Sequence, residues 1–149
     1  MSDLGTAMRR VRFIVSDVDG VLTDGTMGFD AEGRPFRHFN VRDGLGLALW
    51  YLAGGRAALV SGQGSPAVEA LAKQWRCTDC LVHVRDKAAA CRDLAGQYGV
   101  ALEEMAFIGD DLIDIGAIRA VGLGVAVADA AGPVKDAAAH STAAAGGAG

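Results

Sequence analysis

Carboxylate, hydroxyl and ammonium side chains follow apolar segments of the sequence at four places. Asp17 and Asp19 come directly after the apolar residues 11–15, and the later groups are Ser61 with Gly62 and Gln63, Lys87, and Asp110 with Asp111 and Asp114. Carboxylates in such number repel one another unless a cation lies among them. Hard oxygen ligands with space left for water and phosphate suit Mg²⁺. The residue types therefore predict a magnesium-dependent site that handles phosphate.

These groups are sufficient for phosphoryl transfer. With a divalent cation present, an aspartate can attack phosphorus without prohibitive repulsion from the phosphoryl oxygens. A second carboxyl can protonate the leaving oxygen and then deprotonate the water that cleaves the acyl phosphate. A lysine and a hydroxyl can hold the remaining phosphoryl oxygens. The set therefore indicates hydrolysis of a phosphate ester.

The elements that must position these groups alternate between strands and helices. Short apolar, β-branched runs predict strands at residues 11–15, 57–60, 80–84, 105–108 and 123–127. Start and stop signals predict helices at residues 43–52, 65–75, 86–98 and 112–121, with a short one after Pro133. This alternation predicts an α/β fold, a doubly wound, Rossmann-like parallel sheet with helices on both faces. Ligands bind beyond the carboxyl ends of such strands, so the polar groups should meet at one rim.

The segment between the first two strands, about residues 25–40, has the pattern of a β-hairpin flap. Asp30 and Gly33 bound a turn between residues 26–29 and 35–39. Only this flap and one helix separate the first two strands, which leaves no room for a cap domain. We expect one domain over residues 1–149, with an Ala/Gly-rich, weakly ordered tail at about residues 137–149.

Composition and charge narrow the classes of partner. The chain has 149 residues, a net charge of −4 and no run of Lys or Arg, which argues against a nucleic-acid partner. No apolar stretch reaches the roughly 20 residues of a membrane span, and residues 1–8 lack the layout of a signal peptide. We expect a cytoplasmic protein without membrane contact. Cys77 and Cys80 have the C-x-x-C spacing, but further metal ligands are not nearby, so we interpret them as ordinary core or linker residues.

Each polar group taken alone has a structural explanation. Asp17-Val-Asp19-Gly20 is similar to the start of a calcium loop, although apolar residues follow where ligands would be needed. Asp111 or Asp114 can cap a helix, and Lys87 can be an ordinary solvated lysine. Two-component receiver domains also combine Mg²⁺, aspartate and lysine, but their phosphorylated aspartate follows the third strand, where this chain has Asp86-Lys87. The joint occurrence after successive strands favours a phosphohydrolase.

Taken together, the motifs resemble those of the haloacid dehalogenase superfamily of phosphatases. They are Asp17-Val-Asp19-Gly20-Val-Leu-Thr23, Ser61, Lys87 and Gly109-Asp110-Asp111, and the resemblance runs over about residues 11–147. It implies that Asp17 is the nucleophile and a metal ligand, and that Asp19 is the general acid/base with its backbone carbonyl on the metal. It also implies that Asp110 binds the metal, that Ser61 and Lys87 hold phosphate, and that Asp111 and Asp114 support the site.

Two further segments narrow the resemblance to a subfamily. Phe39-Asn40-Val41-Arg42-Asp43-Gly44 and Val125-Ala-Val-Ala-Asp129 are similar to segments of the capless 3-deoxy-D-manno-octulosonate 8-phosphate phosphatases. The resemblance implies a small phosphorylated sugar acid as substrate. It also implies a homotetramer in which the flap of one subunit helps to close a neighbour's site. The pocket-lining residues that it implies are Asn40, Val41, Arg42, Asp43, Gly44, Gly62 and Gln63.

Three positions depart from the octulosonate phosphatases. Those enzymes have arginine where this chain has Gln63, and two more of their arginines align with Ala48 and Leu71. Ala or Leu cannot replace an arginine that holds a charged group through two hydrogen bonds. The octulosonate phosphate stays the leading substrate. The alternatives are 2-keto-3-deoxynononate 9-phosphate, whose phosphatases have glutamate at position 63, another sugar phosphate, or a catalytically silent regulatory protein of the same fold.

Overall fold

The computed structural model describes residues 3–149, and for Asp3 the backbone alone. The helices in this range are α1 Asp3–Arg10, α2 Val41–Leu52, α3 Pro66–Gln74, α4 Lys87–Tyr98, α5 Ile115–Ala120 and α6 Gly132–Ala137. The strands are β1 Phe13–Ser16, β2 Gly28–Phe29, β3 Pro35–Phe36, β4 Arg56–Val60, β5 Asp79–Leu81, β6 Met105–Gly109, β7 Leu123–Ala126 and β8 His140–Ser141. Short 3₁₀ turns lie at Leu102–Glu104 and Leu112–Asp114.

Six of the strands form one parallel sheet in the order β5-β4-β1-β6-β7-β8. β2 and β3 pair separately as an antiparallel hairpin, with Gly28 opposite Phe36. Between β1 and β4 the chain forms this hairpin and α2, without a cap domain. The predicted α/β fold, with a parallel sheet and a hairpin flap, is confirmed.

Alternating side chains of the central strands build a core on each face of the sheet. Phe13 and Val15 of β1 and Phe107 of β6 are fully buried in a cluster with residues of α4, α5 and α6. On the opposite face, Leu59 of β4 packs with Val68 of α3. Because helices cover both faces, the strands are apolar almost throughout, and their polar groups lie at the strand ends.

The C-terminal Ala/Gly segment, expected from its composition to be weakly ordered, makes backbone hydrogen bonds with the rest of the fold. β8 extends the sheet beside β7, and Thr142 N donates a hydrogen bond of 2.9 Å to Ala126 O. Further along, Gly147 N donates to Val21 O over 2.9 Å. A Cβ on Gly146 would collide with the turn after β1, so a residue without a side chain permits this approach. Backbone hydrogen bonds, which composition does not reveal, fix the segment.

Two other features differ from the predicted elements. α1 was not predicted, and the helix expected from residue 112 begins at Ile115, after a 3₁₀ turn. In that turn Asp114 N donates to Asp111 O over 2.9 Å, which tightens the chain before the regular helix starts. No helix within residues 3–149 has the length and apolar character needed to cross a membrane.

Candidate active site

The candidate site forms where the strand order reverses. From β1 the sheet continues to β4 and β5 on one side, and the chain then returns to β6 on the other side of β1. Loops diverge at such a point and leave a crevice at the carboxyl ends of the strands. Asp17 follows β1 and Asp110 follows β6, and Asp17 N donates to Ile108 O over 3.0 Å, so the ladder continues past the strand end. The two carboxylates therefore enter the same crevice.

The chain after β1 winds into a tight turn that depends on a glycine. Thr23 is buried, and its Oγ1 accepts a hydrogen bond of 3.1 Å from Gly20 N. Gly20 has φ of +89°, in the left-handed region that favours glycine. A Cβ at this position would collide with the Asp110 carboxylate. Glycine thus lets the acidic turn after β1 lie directly against the acidic loop after β6.

Lys87 lies in the interior between two carboxylates. Its Nζ is 2.9 Å from Asp17 Oδ1 and 2.5 Å from Asp114 Oδ1, and its side chain is 1% exposed. The lysine is the first residue of α4, where Asp86 Oδ1 caps the helix by accepting from Ala89 N. Burial by itself would lower the pKa of Lys87, but the charges of Asp17 and Asp114 outweigh it and raise the pKa. The ammonium therefore stays charged beside Asp17.

Asp114 is a fully buried carboxylate that organises the loop after β6. Its Oδ1 accepts from Lys87 Nζ, and its Oδ2 accepts from the backbone N–H groups of Asp110 at 3.0 Å and Asp111 at 3.2 Å. One carboxylate oxygen from each of Asp17, Asp110 and Asp114 lies within 4.8 Å of the other two. Because donors of the chain already engage both oxygens of Asp114, we assign it a supporting position rather than a metal-binding one.

Burial raises the pKa of the other two carboxyls in this group. Desolvation raises the pKa of Asp17 to about 6, although the charge of Lys87 acts in the opposite direction. The pKa of Asp110 is raised to about 7, first by burial and then by the charges of Asp17 and Asp114. Carboxylates this crowded are stable as anions only when a cation lies between them.

Asp17 and Asp110 fit a divalent cation such as Mg²⁺. Asp110 Oδ1 is buried and has no hydrogen-bond partner in the part of the chain that the structure describes. A buried carboxylate oxygen without a partner is costly, and a hard cation with oxygen ligands would satisfy it. The resemblance to the haloacid dehalogenase phosphatases implies a third ligand in the turn after β1, the backbone carbonyl of Asp19, and this stays a prediction.

Asp19 is held by an arginine of the flap. Arg37 Nε lies 2.5 Å from Asp19 Oδ1, and Arg37 Nη2 lies 3.4 Å from Asp19 Oδ2. Nη2 also donates to Gln63 Oε1 over 3.2 Å. The Arg37 side chain is 2% exposed, whereas that of Asp19 is 32% exposed. The flap therefore orients a carboxyl that is more exposed than that of Asp17.

A cavity of about 190 Å³ lies among these groups. Its walls are Asp17, Asp19, Gly62, Gln63, Lys87, Asp110, Asp111 and Ile113. Predicted site residues from four separate segments thus meet at one pocket. Ser61 is not among the wall residues, since its buried Oγ donates to Gln63 O over 2.7 Å and shapes the loop that carries Gly62. Asp111 is exposed, and its Oδ1 accepts from Leu112 N over 2.7 Å.

Another predicted set lies away from this cavity within the single chain: Asn40, Val41, Arg42, Asp43 and Gly44. Asn40 caps α2 by accepting from Arg42 N at 3.0 Å, and its Nδ2 donates to Gly147 O at 3.2 Å. Arg42 and Asp43 line a different cavity, of about 290 Å³, between α2 and the sheet. Val41 is 83% exposed. The substrate-binding role of these five residues stays a prediction.

Two residues of the site were missed by the sequence reasoning, Arg37 and Ile113. Ile113 is 61% exposed although it is apolar, and an apolar residue within the acidic loop after β6 was a signal for it. Arg37 carried no such signal, because it reaches Asp19 across 18 residues and through a flap whose path the sequence does not fix.

Comparison with known proteins matches most of this chain to phosphatases and to a family of hydrolases. A family model for haloacid dehalogenase-like hydrolases matches residues 62–147. The chain is 40% identical over 133 residues to the 3-deoxy-D-manno-octulosonate 8-phosphate phosphatase of Haemophilus influenzae, which covers 89% of this chain and 74% of the relative. The phosphatase of that name from Escherichia coli K12 is 35% identical over 129 residues, covering 87% of this chain and 69% of the relative.

Solved structures show the same relationship. The octulosonate 8-phosphate phosphatase of Moraxella catarrhalis, in complex with magnesium ion, phosphate ion and KDO, superposes with a TM-score of 0.97 at 31% identity. That match covers 100% of this chain and 86% of the other. The cobalt-bound Haemophilus influenzae phosphatase matches with a TM-score of 0.92 at 39% identity, covering 96% of this chain and 84% of the other. The likeness therefore includes every strand and loop that builds the cavity.

Proposed function

This chain belongs to the haloacid dehalogenase-like hydrolases, and from that premise we propose that it is a Mg²⁺-dependent phosphatase of a small phosphorylated sugar acid. The leading substrate is 3-deoxy-D-manno-octulosonate 8-phosphate, because relatives of this chain are named as phosphatases of that compound. One observation carries the proposal. At the reversal of strand order, the buried carboxylate of Asp17 lies 2.9 Å from the ammonium of Lys87 and beside Asp110 Oδ1, which has no hydrogen-bond partner within residues 3–149.

Magnesium is the proposed cofactor, held by Asp17, Asp110 and the backbone carbonyl of Asp19. When bound, the ion offsets the negative charge between the attacking carboxylate and the phosphoryl group. The magnesium and cobalt ions in the solved structures of relatives support a divalent cation. The supporting observation in this chain is the pair of crowded carboxyls with raised pKa values.

Asp17 and Asp19 divide the first half of the proposed reaction. A carboxylate oxygen of Asp17 attacks phosphorus, and a new P–O bond forms as the bond from phosphorus to the ester oxygen breaks. Asp19 gives its proton to the departing oxygen, so the sugar acid leaves as a neutral alcohol at that position. Arg37 keeps the Asp19 carboxyl directed into the pocket mouth through its 2.5 Å contact.

The second half returns the site to its starting state. Water attacks the phosphorus of the aspartyl phosphate while Asp19 takes a proton from that water, and the P–O bond to Asp17 breaks. Inorganic phosphate leaves, and Asp17 is again a carboxylate. Lys87 keeps a fixed positive charge beside Asp17 through both halves of the reaction, because Asp114 Oδ1 holds its Nζ at 2.5 Å.

A phosphate-release assay tests the proposal. With Mg²⁺ the purified protein is expected to hydrolyse octulosonate 8-phosphate with a kcat/KM at least about tenfold above that for 2-keto-3-deoxynononate 9-phosphate or simple sugar phosphates. Chelation of the metal should stop turnover. A higher kcat/KM for 2-keto-3-deoxynononate 9-phosphate would make that compound the assigned substrate. Absence of turnover on every phosphate ester would instead leave a catalytically silent regulatory protein.

The pKa values of Asp17 and Asp110 predict how magnesium affinity depends on pH. Near pH 5.5 both carboxyls carry protons in the metal-free protein, since their pKa values are raised to about 6 and about 7. Magnesium must displace these protons, so its apparent Kd should fall as pH rises from 5.5 to 7.5, by up to about tenfold per unit for each proton displaced. Isothermal titration calorimetry in two buffers of different ionisation enthalpy counts the protons released.

A matched control for this measurement is Asp93→Asn. Asp93 is an exposed carboxylate on α4. Its replacement changes the net charge by one unit but should leave the dependence of magnesium Kd on pH unchanged. The same linkage predicts that the metal-free protein is more stable at pH 5 than at pH 8, because the folded state binds more protons than the unfolded chain in that window. A magnesium Kd that does not vary across the range would contradict both expectations.

The assembly and location are also proposals. We propose a homotetramer, supported by apolar side chains that α2 and the flap leave exposed: Phe29, Phe36, Val41, Leu45, Leu49 and Leu52. Sedimentation equilibrium would detect it, and a monomer at micromolar concentration would contradict it. We likewise propose that the protein acts in the cytoplasm.

A further inference from the structure

Arg37 is a buried cation that reaches the site from the flap. It directly follows β3, and the flap fixes its place, because Phe36 packs over Gly28 on one side of it and Phe39 stacks edge-on against Trp75, with ring centroids 6.3 Å apart, on the other. The Arg37 side chain is 2% exposed, and its guanidinium bridges Asp19 and Gln63. It has therefore lost most of its water before any ligand arrives.

We propose that Arg37 is a specificity-determining residue that, together with Gln63, binds the carboxylate of the sugar-acid substrate. This inference rests on the proposed function, since it takes the substrate class from it. It gives the flap a chemical task, the selection of phosphate esters that carry a second anionic group.

The hydrogen bonds of Arg37 leave donors for such a group. Nε and Nη2 are directed to Asp19 and Gln63, whereas Nη1 makes no hydrogen bond with any residue of the described range 3–149. Gln63 accepts from Arg37 through Oε1, so its Nε2 is left as a donor, and Gln63 is a wall residue of the cavity. A carboxylate has two oxygens and can accept from both groups at once.

Among the described wall residues, no other cation is free to bind the carboxylate of the substrate. Lys87 is the one cation among the wall residues that the structure describes, and Asp17 and Asp114 already contact its Nζ. The proposed Mg²⁺ offsets the charges of Asp17 and Asp110, but Asp19 and Asp111 of the wall would still repel a carboxylate unless another positive charge lay nearby. Arg37 supplies that charge through its contacts with two wall residues, Asp19 and Gln63.

The position of Arg37 also favours the carboxylate over the phosphoryl group. The phosphoryl group must lie against Asp17, which is 6% exposed and paired with the interior Lys87. Arg37 contacts Asp19 and Gln63 instead, at the more exposed mouth of the cavity. A substrate with its phosphate against Asp17 therefore places its remaining part, including the carboxylate, toward the arginine.

The test compares two substrates in four proteins: the wild type, Arg37→Gln, Arg37→Lys and Arg34→Gln. Arg34 is a matched control, an arginine of the same hairpin that is 73% exposed and pairs with Asp30. For octulosonate 8-phosphate, Arg37→Gln is expected to raise KM by about 10- to 100-fold, the effect of one charge-assisted hydrogen bond to a carboxylate. For p-nitrophenyl phosphate, which lacks a carboxylate, KM should change by less than about threefold, and the effect on kcat through the orientation of Asp19 should be the same for both substrates.

Inhibition by product fragments and the conservative variant sharpen the result. Free octulosonate should inhibit Arg37→Gln much more weakly than the wild type, whereas inhibition by inorganic phosphate should be the same. Arg37→Lys should recover part of the lost affinity, because it keeps the charge without the planar fork. Thermal melting of all four proteins is measured under the assay conditions, and a cooperative transition above the assay temperature shows that each variant is folded when its kinetics are measured.

The results that would contradict the proposal for Arg37 each have a different meaning. Equal rises of KM on both substrates would overturn the proposal and assign Arg37 to the phosphoryl group, and a loss confined to kcat would overturn it by leaving Arg37 only the orientation of Asp19. Unchanged kinetics in Arg37→Gln would overturn it as well. If the wild type hydrolyses p-nitrophenyl phosphate but not the sugar-acid phosphate, the proposed function has failed and the carboxylate assignment falls with it.

Discussion

Replacing Asp17 with asparagine is expected to lower kcat by at least about 10⁴-fold, the scale seen when a nucleophile is removed from an otherwise intact site. Asparagine has nearly the shape of aspartate, so the buried position after β1 should still fill normally. Its amide, however, is a far weaker nucleophile than a carboxylate and cannot form the acyl phosphate. Steady-state phosphate release, measured at saturating Mg²⁺ to offset the lost ligand charge, gives the value.

A trapping experiment separates the nucleophile from its other role. Acid quenching of the wild type during turnover of phosphorus-labelled substrate should leave label on the protein, and Asp17→Asn should leave none. Asp93→Asn makes the same charge change at an exposed position on α4 and should keep full activity. Label retained in Asp17→Asn would show that another group attacks phosphorus.

The sequence predicted the sheet and the Asp17 to Asp110 core of the site for one physical reason. Buried strands of a parallel sheet are apolar on both faces, and polar residues can follow only where a strand ends. Asp17 lies one residue beyond β1 and Asp110 one residue beyond β6. Predicting where these strands end therefore also predicted where the two carboxylates lie. Their closeness then follows from the reversal of strand order, which places β6 beside β1.

Contacts that depend on the path of a loop were not predictable in this way. Arg37 reaches Asp19 because the β2–β3 hairpin folds back over the cavity, and a two-stranded hairpin does not determine its own direction. The residues alone also allowed Asp114 to be a helix cap, and it was the family resemblance that implied a supporting role in the site. Its carboxylate joins Lys87 to the loop after β6, a contact between residues 27 positions apart. Side chains of this kind are placed by tertiary packing, which local patterns do not encode.

The tail shows a second limit of sequence reasoning. Ala and Gly offer little apolar area, and this predicted weak order at residues 137–149. The segment is nevertheless held by ladder hydrogen bonds to β7 and by Gly147 N donating to Val21 O. Composition measures what side chains can bury, whereas backbone groups contribute wherever a partner strand is available.

Lys87→Met is expected to cost both activity and stability. Methionine nearly matches the length of lysine but leaves Asp17 and Asp114 buried without their shared counter-charge. Removal of one partner from a buried ion pair costs about 3–5 kcal/mol of unfolding free energy. Loss of the fixed charge beside the phosphoryl group should also lower kcat/KM by about 10²- to 10³-fold. Urea unfolding at pH 8 in the presence of a chelator, and phosphate release with Mg²⁺, measure the two effects.

The pH dependence of this variant identifies the cause. The charge of Lys87 lowers the pKa of Asp17, so its removal should raise that pKa further above about 6, compared with the usual 3.8. A carboxyl whose folded pKa is raised contributes stability below its unfolded pKa, and this contribution is lost as pH rises through the folded value. The defect should therefore be largest at pH 8 and shrink toward pH 5. Lys73→Met, at an exposed position of α3, should show neither the defect nor the trend. A defect of equal size at both pH values would mean that Lys87 stabilises the protein through packing rather than through its charge.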